Sequence, residues 1–292
     1  MDQIENGWFI EKSDAWGIYG KCSGLTLKID KLLHHEKTEF QDILVFENEF
    51  WGTVLVLDGV IQLTTRDEFA YQEMIAHLPL MAHPDPKAVF IVGGGDGGVV
   101  REICRHKGVE KIHICEIDKR VIENSKKYLP GLSCCYDDPR VTIYNRDAFE
   151  MLKEVAKGPQ KYDVIISDST DPVGFAATLF EESFFGLCHT ALNEGGILST
   201  QAESIWHQGD LLEGMSKWLG NVFQSKEYAW ITIPTYPCGN IGFWILSKSG
   251  KSAAKPREAT PEFIESVKYW SPEIHEASFV LPAFGRRKIF GK

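Results

Sequence analysis

The sequence has no basic excess, no long apolar run, no paired cysteine motif and no low-complexity segment. Each absence removes a class of function. Its 292 residues carry a formal net charge of -10, whereas a general nucleic-acid binder needs a basic footprint to displace counterions. The acidity is compatible with a cationic substrate, but by itself it is ordinary for soluble proteins. No apolar stretch reaches the roughly 18 residues that a membrane span needs. The seven cysteines (Cys22, Cys104, Cys115, Cys134, Cys135, Cys188, Cys238) form no CxxC pair and no zinc-type spacing. An odd set with two adjacent members reads as reduced thiols. Met1 to Glu11 carries acids and no apolar core, so no secretory signal is expected. These absences lead to the expectation of a soluble, cytoplasmic protein without nucleic-acid or membrane partners.

What is present is a large apolar fraction, 43% of residues, enough for a substantial core. Up to about Arg66 the chain reads as short strands and turns. Leu25–Ile29, Ile43–Phe46 and Thr53–Leu57 have strand patterns, and Asp58-Gly59 is a hairpin signal before the return run Val60–Leu63. A small antiparallel β-domain over residues 1–66 is the expectation. From Asp67 to His83 the spacing of Phe69, Met74, Ile75 and Leu78 is helical. Beyond Pro84 and Pro86 strands and helices alternate: strands at Val89–Val92, Lys111–Cys115, Val141–Tyr144, Asp163–Ser167 and Gly196–Thr200, helices at Val99–His106, Lys119–Tyr128 and Glu181–Leu192. That rhythm predicts an α/β doubly wound sheet over residues 67–292. The last runs, Trp230–Ile233 and Gly242–Leu246, are too close for a parallel crossover and are expected to pair antiparallel.

The chemistry gathers at strand ends. Gly93, Gly95 and Gly98 satisfy GxGxxG between a strand and a helix, where free N–H groups and missing side chains let a ligand touch the backbone. Glu116, about 20 residues on, ends the second strand, where a carboxylate can bind both hydroxyls of a ribose. Asp96 inside the loop would repel a pyrophosphate, and Asp147 and Ala148 end the third strand within reach of an adenine edge. Together they describe a site for an adenosine without phosphates, such as S-adenosylmethionine or a relative. Ser249–Ser252 echoes the tail of a Walker motif but lacks its first glycine.

Asp168 ends the fourth strand and Asp171 follows in the turn before Pro172. Capping of that turn is one reading of the pair. The other is an amine cradle: an amine with a pKa near 10.4 arrives protonated, and a carboxylate can dock it and accept its proton. A sulfonium donor leaves as a neutral thioether, which asks for no oxyanion hole and no metal. The lack of HExxH, GxSxG and clustered His/Cys ligands fits this. The nine histidines read as structural or exposed, with His34, His35 and His207 open to reconsideration.

These segments together resemble the spermidine synthase family of aminopropyltransferases. The resemblance runs through Phe40–Phe46, Leu57–Gln62, Asp67–Glu73, Gly93–Gly98, Asp168–Pro172 and Thr232–Pro237, nearly the whole chain. It implies a Rossmann-like, methyltransferase-type catalytic domain. It also implies decarboxylated S-adenosylmethionine as donor, putrescine as acceptor, spermidine and methylthioadenosine as products, no separate cofactor or metal, and a homodimer. Gln41, Gln72, Asp96, Glu116, Asp147 and Ala148 match the family's donor positions. Asp168 matches its proton acceptor, and Tyr71, Asp171 and Tyr236 its putrescine contacts. Gln201 and Glu203 are further candidates on the amine side. Phe175 departs from the proline usual after Gly174, which touches the shape of the flanking loop. Asp96 then acquires a role: it would bind the ammonium that decarboxylation leaves and repel the carboxylate of intact S-adenosylmethionine. Spermine or thermospermine synthases and putrescine N-methyltransferases are the neighbouring readings. A dehydrogenase is disfavoured by Asp96, and a catalytically dead binding module by the retained acids.

Overall fold

The computed structural model describes residues 3–12, 22–170 and 174–291, without the side chains of 174–176. Two antiparallel sheets come first. One has three strands, β1 (Ile4–Glu5), β2 (Trp8–Ile10) and β3 (Thr26–Lys28). The other has four, β4 (Lys31–Lys37), β5 (Asp42–Asn48), β6 (Gly52–Leu57) and β7 (Val60–Thr64). The expected hairpin joins β6 to β7. Asp58 and Gly59 both take positive φ, 47° and 78°, as a two-residue turn matched to strand twist requires. β4 carries Lys31, His34, His35 and Glu36, so it gives no apolar alternation and the sequence reading omitted it.

Helix α1 (Glu68–Ala82) follows. The sequence suggested an apolar stripe, yet 13 of its 15 residues are buried. It is a core helix rather than a surface one. The central sheet then forms from β8 (Ala88–Gly93), β9 (Lys111–Cys115), β10 (Val141–Tyr144), β11 (Tyr162–Asp168), β12 (Leu192–Gln201), β13 (Ser225–Thr232) and β14 (Asn240–Ser247), in spatial order β10-β9-β8-β11-β12-β14-β13. The first five are parallel to one another, and β14 pairs antiparallel with both β12 and β13, as the short connection demanded. Between the strands lie α2 (Gly98–Cys104), α3 (Lys119–Tyr128), α4 (Ala148–Lys157), α5 (Glu182–Ala191) and α6 (Gly209–Val222), and α7 (Pro261–Ser266), α8 (Pro272–Ser278) and α9 (Ala283–Phe290) end the chain.

Strand alternation splits the core into two layers. Val89, Ile91, Ile112, Ile114, Val164 and Ile166 face α1 and α2, while Phe90, Val92, Cys115 and Ile165 face α4, α5 and α6. Successive side chains of a strand point to opposite faces, so each strand feeds both layers. The strand order reverses between β8 and β11, and open α/β sheets bind ligands outside the carboxyl ends of strands at such a switch. No helix among the described residues is long and apolar enough to cross a membrane.

Candidate active site

A cleft of about 440 Å³ opens at this switch point. Asp168 ends β11 in register with Gly93 at the end of β8. The N–H of Gly94 donates to the Asp168 carbonyl at 2.9 Å, so the glycine loop is sewn to the strand that carries the acid. Gly93 has φ +74°, and a Cβ there would collide with the Asp168 carbonyl. A Cβ on Gly95 would lie 2.8 Å from Oε2 of Glu116. Glycine is required here by close approach.

Three carboxylates stand around the loop, Glu116 buried and Asp96 and Asp168 half-buried. Asp168 Oδ1 accepts from Tyr71 Oη at 2.7 Å. Burial, reinforced by Asp96 and Glu116, pushes its pKa up to about 8 against the partial relief of the Tyr71 bond. Asp96 Oδ1 accepts from the Gly98 N–H at 2.7 Å and from Gln72 Nε2 at 3.0 Å. Burial raises it too, opposed by those two bonds. Glu116 Oε1 accepts from the Asp118 N–H at 2.9 Å, and burial lifts its pKa to about 7. Clustered carboxylates partly withdrawn from water favour protonation or a cationic partner, and Arg101 is near enough to oppose the rise at Asp96. Gln72 Oε1 is a further buried acceptor with no partner among the described residues.

Asp147 and Ala148 do not end the third strand, which stops at Tyr144: Asp147 is exposed and caps α4, accepting from the N–H groups of Phe149 and Glu150 at 2.7 and 3.4 Å, and the buried Ala148 is the first residue of that helix. Gln41 reaches the site through Asp118, its Nε2 donating to Oδ2 at 3.0 Å. On the opposite side the rings of Tyr71 and Tyr236 stand 5.7 Å apart, and Tyr236 Oη donates to the Gln62 carbonyl at 2.6 Å. Gln201 and Glu203 are buried in the same wall, joined by the Glu203 N–H donating to Gln201 Oε1 at 3.2 Å.

The residues proposed for the site from the sequence line this one cleft, except Gly98, which packs on Gln72, and Asp171, which lies outside the described residues. The side chain of Phe175 falls outside them as well. Two positioning residues escaped the sequence reading. Asp118 accepts from Gln41 and from Thr38 Oγ1 at 2.7 Å while capping α3 through the Arg120 N–H; an aspartate just before a helix is a cap signal, but its grip on the N-terminal sheet is tertiary. Tyr136 Oη donates to the Gly95 carbonyl at 2.9 Å from the connection after α3, and no local pattern marks it.

A doubly wound sheet with a glycine loop and acids gathered at its switch point defines an enzyme of the Rossmann-like transferase class. Residues 68–256 match the family model described as spermine/spermidine synthase domain, and residues 7–65 the one described as spermidine synthase tetramerisation domain. The chain is 48% identical to the spermidine synthase of Dictyostelium discoideum, covering 99% of each. It is 47% identical to spermidine synthase 1 of Hyoscyamus niger, over all of this chain and 93% of that one. A crystal structure of spermidine synthase in complex with the transition state analogue AdoDATO superposes with a TM-score of 0.89 at 36% identity, over 99% of this chain and 97% of that one. The spermidine synthase from Thermotoga maritima gives 0.88 at 36% identity, over 99% and 96%. The chain belongs to the spermine/spermidine synthase family, whose members are aminopropyltransferases.

Proposed function

We propose that this chain is a spermidine synthase that moves the aminopropyl group of decarboxylated S-adenosylmethionine onto putrescine. The observation that carries the reading is the pair of half-buried acids at the glycine loop, Asp96 within it held by Gln72 and Gly98 and Asp168 beside it held by Tyr71. Two acids suit two cations. Asp96, with the unpartnered Oε1 of Gln72 beside it, suits the terminal ammonium of the donor and disfavours a donor that keeps its carboxylate. Glu116 suits the ribose, with Asp147 and Ala148 at the adenine.

On the acceptor side Tyr71 and Tyr236 flank an apolar chain and Gln201 stands nearby, with Asp171 assigned to the distal ammonium on resemblance. Asp168 orients the attacking nitrogen and takes its proton. The new N–C bond forms at the propyl carbon as the C–S bond breaks, and methylthioadenosine leaves as a neutral thioether. In this reading residues 1–66 serve assembly, with a homodimer as the minimal unit, residues 67–292 hold the site, and the protein works in the cytoplasm.

The test is to incubate the protein with putrescine and, separately, the decarboxylated and the intact donor. Methylthioadenosine from the decarboxylated donor alone is the expected product; S-adenosylhomocysteine would make the chain a methyltransferase instead.

A further inference from the structure

Asp67 stands at the start of α1, where an aspartate ordinarily caps its own helix, yet its side chain makes no cap bond. Both carboxylate oxygens are committed elsewhere. Oδ1 accepts from Thr64 Oγ1 at 2.6 Å, and Oδ2 accepts from the N–H and Oγ1 of Thr235 at 2.9 and 2.7 Å. Asp67, Thr64 and Thr235 are all buried, so water does not compete for these bonds, and bonds to a carboxylate are strong ones. The residues they join are neighbours of the acceptor wall. Thr235 directly precedes Tyr236. Thr64 ends β7, the strand whose Gln62 carbonyl accepts from Tyr236 Oη at 2.6 Å. Tyr71 lies about one turn along α1 from Asp67, with its ring 5.7 Å from that of Tyr236.

We propose that Asp67 is a positioning residue that sets acceptor length, pinning Tyr236 against Tyr71 so that the slot between them takes a short diamine. Tyr71 is fixed from its own side, by its bond to Asp168 and by the Phe243 ring at 5.5 Å. The wall that could yield is Tyr236, carried on the connection between β13 and β14. Asp67 holds the backbone of that connection across 168 positions, and the Gln62 carbonyl holds the hydroxyl at the far end of the ring. Held at both ends, the ring cannot swing away from Tyr71. With both ammonium groups of an acceptor docked, a chain one methylene longer has to bow between the rings. A pinned wall refuses that extra width, and a loose one grants it.

This inference rests on the acceptor placement proposed above, so its test reads binding and turnover separately. Calorimetry on the full chain with methylthioadenosine bound gives affinities for putrescine and for cadaverine, the diamine one methylene longer. Steady-state kinetics gives kcat and the KM of each substrate. Wild type is expected to favour putrescine by about 10- to 100-fold, the scale of one methylene in a close-fitting pocket. Asp67→Ala should raise the KM for putrescine by about 10-fold and bring the preference within about 3-fold, while the donor KM and methylthioadenosine affinity stay near wild type. Asp67→Asn can still accept from Thr235 while donating to Thr64, and should recover most of the preference. Thr235→Val deletes one hydroxyl bond at nearly constant shape and should lose part of it, which decides the matter if Asp67→Ala does not fold. No preference in wild type, a preference unmoved in the variants, or Asp67→Asn no better than Asp67→Ala would overturn the assignment. So would donor and putrescine constants rising together, because general loosening moves both. Wild type that binds putrescine but forms no methylthioadenosine would sink the proposed activity alone, and the two diamine affinities then decide on Asp67.

Discussion

Asp168 is half-buried, faces two other acids and is held by one phenol. Replacing it by asparagine removes the proton acceptor while keeping the shape. Turnover is expected to fall by about 10²- to 10⁴-fold, measured in single-turnover experiments with donor saturating. The same variant should change stability in the opposite sense. A carboxyl whose folded pKa is raised, here from 3.8 to about 8, contributes stability below its unfolded value and loses it as pH rises through the folded one. Glu116 acts likewise, from 4.5 to about 7. The ligand-free wild type should therefore lose melting temperature between pH 5 and 9, and Asp168→Asn should lose less. An equal decline in both proteins would show that Asp168 is not the strained acid. Tyr71→Phe deletes the bond that holds the Asp168 pKa down, so the acid limb of kcat/KM for putrescine should move to higher pH. A profile identical to wild type would separate Tyr71 from the proton transfer.

At the scale of elements, the site depends on strand ends and on how the N-terminal sheet is tied to them. Asp118 caps α3 and also accepts from Thr38 and Gln41 in the turn between β4 and β5. One carboxylate thus orders a helix start and holds a donor-side glutamine across 77 residues. Asp118→Ala should cost about 1–3 kcal/mol from the lost cap and buried bonds. It should raise the KM for the donor while leaving the KM for putrescine near wild type. Denaturant melts and a two-substrate kinetic matrix read both, and a uniform loss in both constants would argue for general loosening instead.

The whole molecule is closed by its C-terminal segment, whose role the sequence left open. Glu73, buried in α1, accepts the backbone N–H groups of Lys268, Tyr269 and Trp270, each at 2.8 Å. Behind it Trp270 packs on Phe263 and donates through Nε1 to His275 at 3.2 Å. Glu73→Ala would leave three backbone donors without their acceptor, of which the Trp270 N–H is buried, an expected cost of about 1–3 kcal/mol. Urea midpoints should fall accordingly, and hydrogen exchange should quicken over residues 257–291 before the central sheet opens. Protection unchanged in that segment would mean that other contacts hold it.

Much of this was legible along the chain, for physical reasons. Parallel strands buried on both faces leave apolar runs, and a ligand loop at a strand–helix junction leaves glycines, so β8, β9, β11 and the loop at Gly93 could be read directly. Asp96, Glu116, Asp147 and Asp168 could be found because each follows its strand by position. The charged strand β4 was hidden by its polar composition, and the full burial of α1 by its mixed residues. The sequence by itself determined the alternation of the central strands with α2, α3 and α5 and the acids that follow β9 and end β11, since both are matters of local pattern, while β1, β2, α4, α6 and the C-terminal helices went unread. Tertiary structure alone decided that those acids share one cleft, that Asp118 and Glu73 hold distant segments, and that the Cys238 thiol meets the His207 imidazole 31 positions away. Such pairings join residues from 31 to 197 positions apart, and no local periodicity records a distance closed by folding.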